Sequence, residues 1–157
     1  MEAVSLLKEN GCCVGGMISR EVRKGGTRVG FQILDLTSDR HGWLARVNQE
    51  HGPKVGKYRV NMEDLNFIGA KAIADALVKC DVIVIDEIGP MELLSEKFKE
   101  ATRKALKSHK PVLAIVHWKA KDRLIDETKN REDQETFTVM YENRTNLPEV
   151  IVRILAN

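Results

Sequence analysis

Apolar positions along this chain fall into two kinds of spacing, and the change between them marks out the elements. In residues 1–9, Ala3, Val4 and Leu7 recur at helical spacing before Asn10-Gly11 supplies a stop, so a helix is expected at once, with no strand, turn or capping residue ahead of it. Residues 12–18 read as a strand broken by Gly15-Gly16. Lys24-Gly25-Gly26-Thr27 is a two-residue hairpin turn, because paired glycines take the positive φ angles that a primed turn needs. Residues 29–36 form the return strand, and 43–47 and 57–60 read as two more short strands around a loop at His51-Gly52-Pro53-Lys54.

After Asn61 the period lengthens. Leu65, Ile68, Ala72, Ala76 and Leu77 share one helical face, with a cap and first-turn acids in residues 61–64. Val82-Ile83-Val84-Ile85 is then a continuous run of β-branched residues leading into Asp86-Glu87, the pattern of a strand buried on both faces in a parallel sheet. Gly89-Pro90 breaks the chain, Ser95 caps a second helix with Phe98, Ala101, Ala105 and Leu106 inside, and residues 111–116 read as another buried strand. Strand, helix, strand in that order is the right-handed crossover unit of an α/β protein. Residues 119–135 are strongly charged and read as solvated helix and loop around Leu124-Ile125. Residues 137–140 are expected to form a final strand, and Leu147, Val150, Ile151, Ile154 and Leu155 the apolar stripe of a last helix that Pro148 helps to start.

Composition narrows the function classes. The 157 residues suit one domain with a real core, and 25 basic against 23 acidic residues leave a net charge of +2, so no broad field favours nucleic acid or membrane. No apolar run reaches transmembrane length, and Met1 is followed by Glu2 rather than by a basic and then apolar leader, so a cytoplasmic location is expected. Cys12, Cys13 and Cys80 are odd in number and lack a C-x-x-C pair, which argues against a zinc site or disulfide framework and for buried free thiols.

The chemistry concentrates at Asp86 and Glu87. Ligands of parallel sheets lie beyond the carboxyl ends of the strands. In phosphoryl-transfer proteins an acid at the end of an apolar strand holds Mg²⁺ and a neighbour orients the attacking water, the Walker-B pattern. The same pair elsewhere simply caps a helix or faces solvent. Glu21, Arg23 and Arg28 flank the hairpin turn and suit either a phosphate clamp or a solvated edge. His117, at the ligand-side end of its strand, suits a γ-phosphate sensor or a structural place beside Trp118. Glu92 lies either near the site or simply in the first turn of a helix, and Lys104, Lys107 and Lys110 complement a helix C-terminus.

The run from Val82 through Leu93, preceded by Glu21 through Phe31, then Val55-Gly56-Lys57-Tyr58 before Val60 and Glu142-Asn143-Arg144 before the last helix, resembles the P-loop nucleoside-triphosphatase family of archaea, thermophilic bacteria and animals, of the cancer-related nucleoside-triphosphatase type. The motifs cover the whole chain in order. The resemblance implies a RecA-like P-loop NTPase fold of α/β class, with a mostly parallel sheet and a β-hairpin excursion. It implies Mg²⁺-dependent hydrolysis of ATP, GTP and other nucleoside triphosphates with low base selectivity, and no nucleic-acid or membrane partner. By this resemblance Asp86 matches the Mg²⁺-associated carboxylate and Glu87 the general base, while Asn143 and Arg144 match a motif placed to contact nucleotide.

One departure stands beside the match. A P-loop needs G-x-x-x-x-G-K-[ST], and the nearest imitation, Gly52-Pro53-Lys54-Val55-Gly56-Lys57-Tyr58, is one residue short between its glycines and ends in Tyr. In the family the loop precedes the first helix, where this chain starts, so residues 1–157 are expected to form a single, N-terminally incomplete domain. The missing strand is expected to pair beside residues 82–85, leaving their backbone short of partners and the chain prone to aggregate, and turnover is expected to be negligible. A degenerate nucleotide-binding or regulatory module is the alternative, and then a nucleotide or polynucleotide kinase, disfavoured because no Arg-rich lid is evident.

Overall fold

The computed structural model describes residues 1–156. A helix, α1 (Glu2–Glu9), leads into a long hairpin of β1 (Val14–Lys24) and β2 (Thr27–Asp35), and then β3 (His41–Arg46), β4 (Lys54–Val55) and β5 (Tyr58–Val60). A continuous helical stretch follows, made of α2 (Met62–Asp64), a π-helical segment (Leu65–Ala70) and α3 (Lys71–Lys79). The remaining elements are β6 (Val82–Ile88), a 3₁₀ turn (Glu92–Leu94), α4 (Glu96–Lys107), β7 (Val112–Val116), α5 (Arg123–Lys129) and α6 (Leu147–Leu155).

The local signals act as expected. Gly25 and Gly26 take φ values of 53° and 78° between the paired residues Lys24 and Thr27. The Asn61 side chain accepts from the Asp64 N–H at 3.1 Å, and Ser95 Oγ accepts from the Phe98 N–H at 3.0 Å, each satisfying an orphan donor of a helix start.

The seven strands form one mixed sheet in the order β4-β5-β3-β2-β1-β6-β7. Only the β1–β6 and β6–β7 pairs are parallel, so the expectation of a mostly parallel sheet is corrected: the hairpin and its neighbours make up most of the sheet rather than an excursion from it. The physical reason is the short turns between β1, β2 and β3, which permit only antiparallel pairing. Two further corrections concern the C-terminal part. Residues 137–140 form no strand, and α6 turns Val152 inward while Val150 and Ile154 stay about 40% exposed, so its buried stripe is narrower than the apolar spacing suggests.

β6 is the centre of the molecule. Val82 and Val84 face α1 and α6 in one core with Ala3, Val4, Leu7 and Val152, and Ile83 and Ile85 face α3 and α4 in a second with Ile73, Ala76, Phe98 and Ala101. Successive strand residues alternate between faces, and this run is apolar on both. β1 pairs with it on one side (Val14↔Val82 to Met17↔Ile85) and β7 on the other. The expected shortage of partners along residues 82–85 is therefore absent. Among the described residues β7 and β4 are the two edge strands, each with a single neighbour, and Ile115 on β7 is 50% exposed, so residues 111–116 are not the fully buried strand their composition suggests.

Candidate functional site

The carboxyl end of β6 delivers Asp86 and Glu87 into different surroundings. Asp86 continues the alternation of Val82 and Val84 towards the side of α1, and the Met1 amine lies within electrostatic reach of it. Burial pushes the Asp86 carboxyl above the ordinary range, the Glu87 charge adds to this, and the Met1 amine opposes both. No side-chain hydrogen bond caps the start of α1.

Glu87 opens the other way, into a cleft of about 300 Å³ between the end of β6 and the inner face of the hairpin sheet. Phe31 from β2, Leu44 from β3, Val55 from β4 and Met91 form its apolar walls. Its polar lining is Ser19, Glu87, Glu92 and His117, with Glu87 within electrostatic reach of Glu92. The His117 N–H donates to the Ile88 carbonyl at 3.0 Å, fastening the end of β7 to the residue after Glu87, and His117 Nδ1 is buried with no hydrogen-bond partner. Gly89 leaves room for the Glu87 side chain: a Cβ there would lie 2.5 Å from Glu87 Oε1.

Glu92 is the residue that sequence reasoning undervalued. It opens the 3₁₀ turn after Gly89-Pro90 and is only 3% exposed. Burial, with the charges of Glu87 and Asp86 behind it, raises its carboxyl from 4.5 to about 8, so at neutral pH it is mostly a neutral acid able to donate a hydrogen bond. The available signal was a lone acid between Met91 and Leu93-Leu94.

The other predicted residues are placed as follows. Glu21, Arg23 and Arg28 hold one another on the hairpin: Arg23 and Arg28 both donate to Glu21, Arg28 at 3.0 Å, and Arg28 also donates to the Tyr58 hydroxyl at 2.8 Å. Arg28, and then Arg23, keep the Glu21 carboxyl below its ordinary range. The Arg28 guanidinium sits 5.2 Å from the centre of the Phe31 ring, which brings it to the rim of the cleft. Asn143 and Arg144 are engaged in their own loop, where Asn143 accepts from the Met140 N–H and donates to the Thr138 carbonyl while Arg144 stacks 4.3 Å from the Tyr141 ring centre. The structure does not bring them to the cleft lining. Lys57 and Gly56 make the turn between β4 and β5 and so lead into a strand rather than a helix. Cys80 alone of the thiols is buried, and Cys13 is exposed. A hollow of about 230 Å³ between Arg20, Gln32, Leu34 and His41 contains no carboxylate.

Asp86 offers a single carboxylate, and the described residues gather no group of three or more His, Cys, Asp or Glu side chains. This donor set fits Mg²⁺, which is held through one or two carboxylates together with phosphate oxygens and water.

A family profile described as NTPase (NTPase_1) matches residues 1–152. The nucleoside-triphosphatase THEP1 of Thermofilum pendens is 44% identical over 158 aligned positions, which span 100% of this chain and 87% of that protein. Among solved structures, a human cancer-related nucleoside triphosphatase is 34% identical with a TM-score of 0.79 over 98% of this chain and 87% of that one. THEP1 from Aquifex aeolicus, at 24% identity, shares the fold with a TM-score of 0.87 over 99% of this chain and 91% of that one.

Proposed function

The chain belongs to the NTPase family, and from that membership we propose that it hydrolyses nucleoside triphosphates to diphosphate and phosphate at the carboxyl end of β6, with Asp86 holding Mg²⁺ and Glu87 as the general base. The observation that carries the reading is the pair of opposite outlooks of these two neighbours, one on the α1 side of β6 and the other in a cleft with His117. Phosphate charge is accepted by the start of α1, where unpaired N–H groups and the helix dipole favour an anion. Bound Mg²⁺ would neutralise charge on the phosphates as the terminal group leaves. Asp86 would hold it through its carboxylate oxygens, the hard donors that Mg²⁺ takes. Glu87 faces the side from which water arrives and takes its proton as oxygen bonds to phosphorus. His117 Nδ1 and the Glu92 hydroxyl are then available to orient that water.

The chain carries no G-x-x-x-x-G-K-[ST] loop, and losing even one preorganised donor costs about 2.7 to 4 kcal/mol in a barrier, so residues 1–157 alone should turn over near background. Joining a strand and such a loop in frame before Met1 should raise the rate. In that protein Asp86→Ala should weaken Mg²⁺-nucleotide binding, whereas Glu87→Gln should leave binding nearly intact and abolish phosphate release, since a residue that activates water contributes in the transition state. Equal losses of affinity with unchanged turnover per bound nucleotide would reduce Glu87 to a structural residue.

A further inference from the structure

The cleft beside Glu87 is much larger than hydrolysis requires. A single attacking water takes up about 30 Å³, so a cleft of about 300 Å³ holds on the order of ten. Its walls also suit an organic molecule better than water. Phe31, Val55 and Met91 present aromatic and aliphatic surface over a buried Leu44, and Ser19, Glu87, Glu92 and His117 supply a few polar groups, the division of labour of small-molecule sites. None of the residues lining the cleft is Lys or Arg, and the nearest guanidinium, that of Arg28 at the rim, is held by Glu21 and Tyr58. A phosphorylated or otherwise anionic occupant would thus meet the Glu87 carboxylate with no cation to offset it. An uncharged ring compound fits, with its ring between the apolar walls and a hydroxyl towards the polar groups. His117 Nδ1, buried and without a partner, is then satisfied by that hydroxyl.

We propose that this cleft binds a second substrate, an uncharged hydroxyl-bearing ring compound of the nucleoside class, and that the terminal phosphoryl group of the triphosphate passes to its hydroxyl in place of water. The hydroxyl oxygen forms a bond to the terminal phosphorus, and the bond from that phosphorus to the bridging oxygen breaks, its electron pair leaving with the nucleoside diphosphate. The hydroxyl proton goes to the Glu87 carboxylate and on to solvent. The products are a nucleoside monophosphate and a nucleoside diphosphate. Binding in the cleft stands by itself, whereas the transfer step rests on the triphosphatase reading given above.

The test separates the two. Isotope-labelled chain is titrated with adenosine, guanosine, cytidine and uridine in the absence of any triphosphate. The amide signals of Phe31, Leu44, Val55, Met91 and His117 should shift saturably with at least one nucleoside. Met91→Trp, which fills the cleft from a partly exposed position, should weaken that binding at least about tenfold while its spectrum reports an intact fold. Phe31→Leu is the second variant and should weaken binding by removing the ring surface. If none of the four nucleosides moves these signals, or if both variants bind like the parent, the cleft proposal is overturned whatever the hydrolytic activity. With a triphosphate carrying a labelled terminal phosphate then added to the protein joined to a G-x-x-x-x-G-K-[ST] loop before Met1, label should appear in the nucleoside monophosphate. Labelled phosphate alone, in a protein whose cleft is occupied, overturns the transfer step and leaves hydrolysis standing. Label in neither product counts against the triphosphatase reading, and the transfer step falls with it.

Discussion

Glu92 couples the site to stability through a single proton. Its carboxyl titrates near 4.5 when unfolded and at about 8 in the fold, so between those values the folded state binds more protons than the unfolded one. Stability then falls as pH rises from about 4.5 through about 8 and levels off above, the loss from this group being on the order of a few kcal/mol. Glu92→Gln keeps a buried polar group of the same shape that cannot ionise. Denaturant unfolding of this variant across that pH window should show a much flatter slope than the parent, and an unchanged slope would mean that another group sets it. Gly89 acts on the same carboxylates sterically. A methyl at position 89 would press on Glu87 Oε1, the far end of a flexible side chain, so Gly89→Ala should cost little in stability, under about 1 kcal/mol, yet lower phosphate release in the loop-joined protein by displacing the proposed base. A full rate in this variant would show that the placement of Glu87 does not matter.

At the scale of elements, β6 illustrates what a sequence reveals and what it withholds. Its four β-branched residues followed by two acids identify a central strand with carboxylates at its end, because burial on both faces leaves no polar position until the strand emerges. Its neighbours are a matter of topology. Pairing with β1 on one side and β7 on the other depends on contacts between residues some 30 to 70 positions apart, which no local pattern encodes. Likewise residues 137–140 have the composition of a strand but pair with none, and β-propensity describes fit to a sheet rather than a tendency to make one. The glycine break in the first strand was legible, and its reason emerges only from the pairing: Gly16 takes φ 113°, and a Cβ there would run into the backbone of Val84 on β6. Gly16→Ala should therefore separate β1 from β6 and cost roughly 2 to 4 kcal/mol by denaturant unfolding. A loss below the error of that measurement would mean that the two strands give way easily.

Across the whole molecule, the parallel part β1-β6-β7 carries the acids and the antiparallel part β2-β3-β5-β4 closes over one of them. Asp86 and Glu87 could be recognised from their own dipeptide. Their division between two sides could not, because it depends on α1 lying against one face of the sheet and on Phe31, Leu44 and Val55 reaching the other from three separate strands. Glu92 and His117 join Glu87 for the same reason, across a turn and from the next strand. The measurement that tests this division most directly is carboxyl-carbon NMR of Asp86 and Glu87 in the protein joined to a G-x-x-x-x-G-K-[ST] loop, titrated with Mg²⁺ and a non-hydrolysable triphosphate. The Asp86 carboxyl should shift on binding and lose its raised proton affinity as a cation reaches it, while Glu87 responds weakly. If the two carboxyls shift together, or if Glu87 responds and Asp86 does not, then metal-holding and water-activating roles are not divided between the two sides of β6.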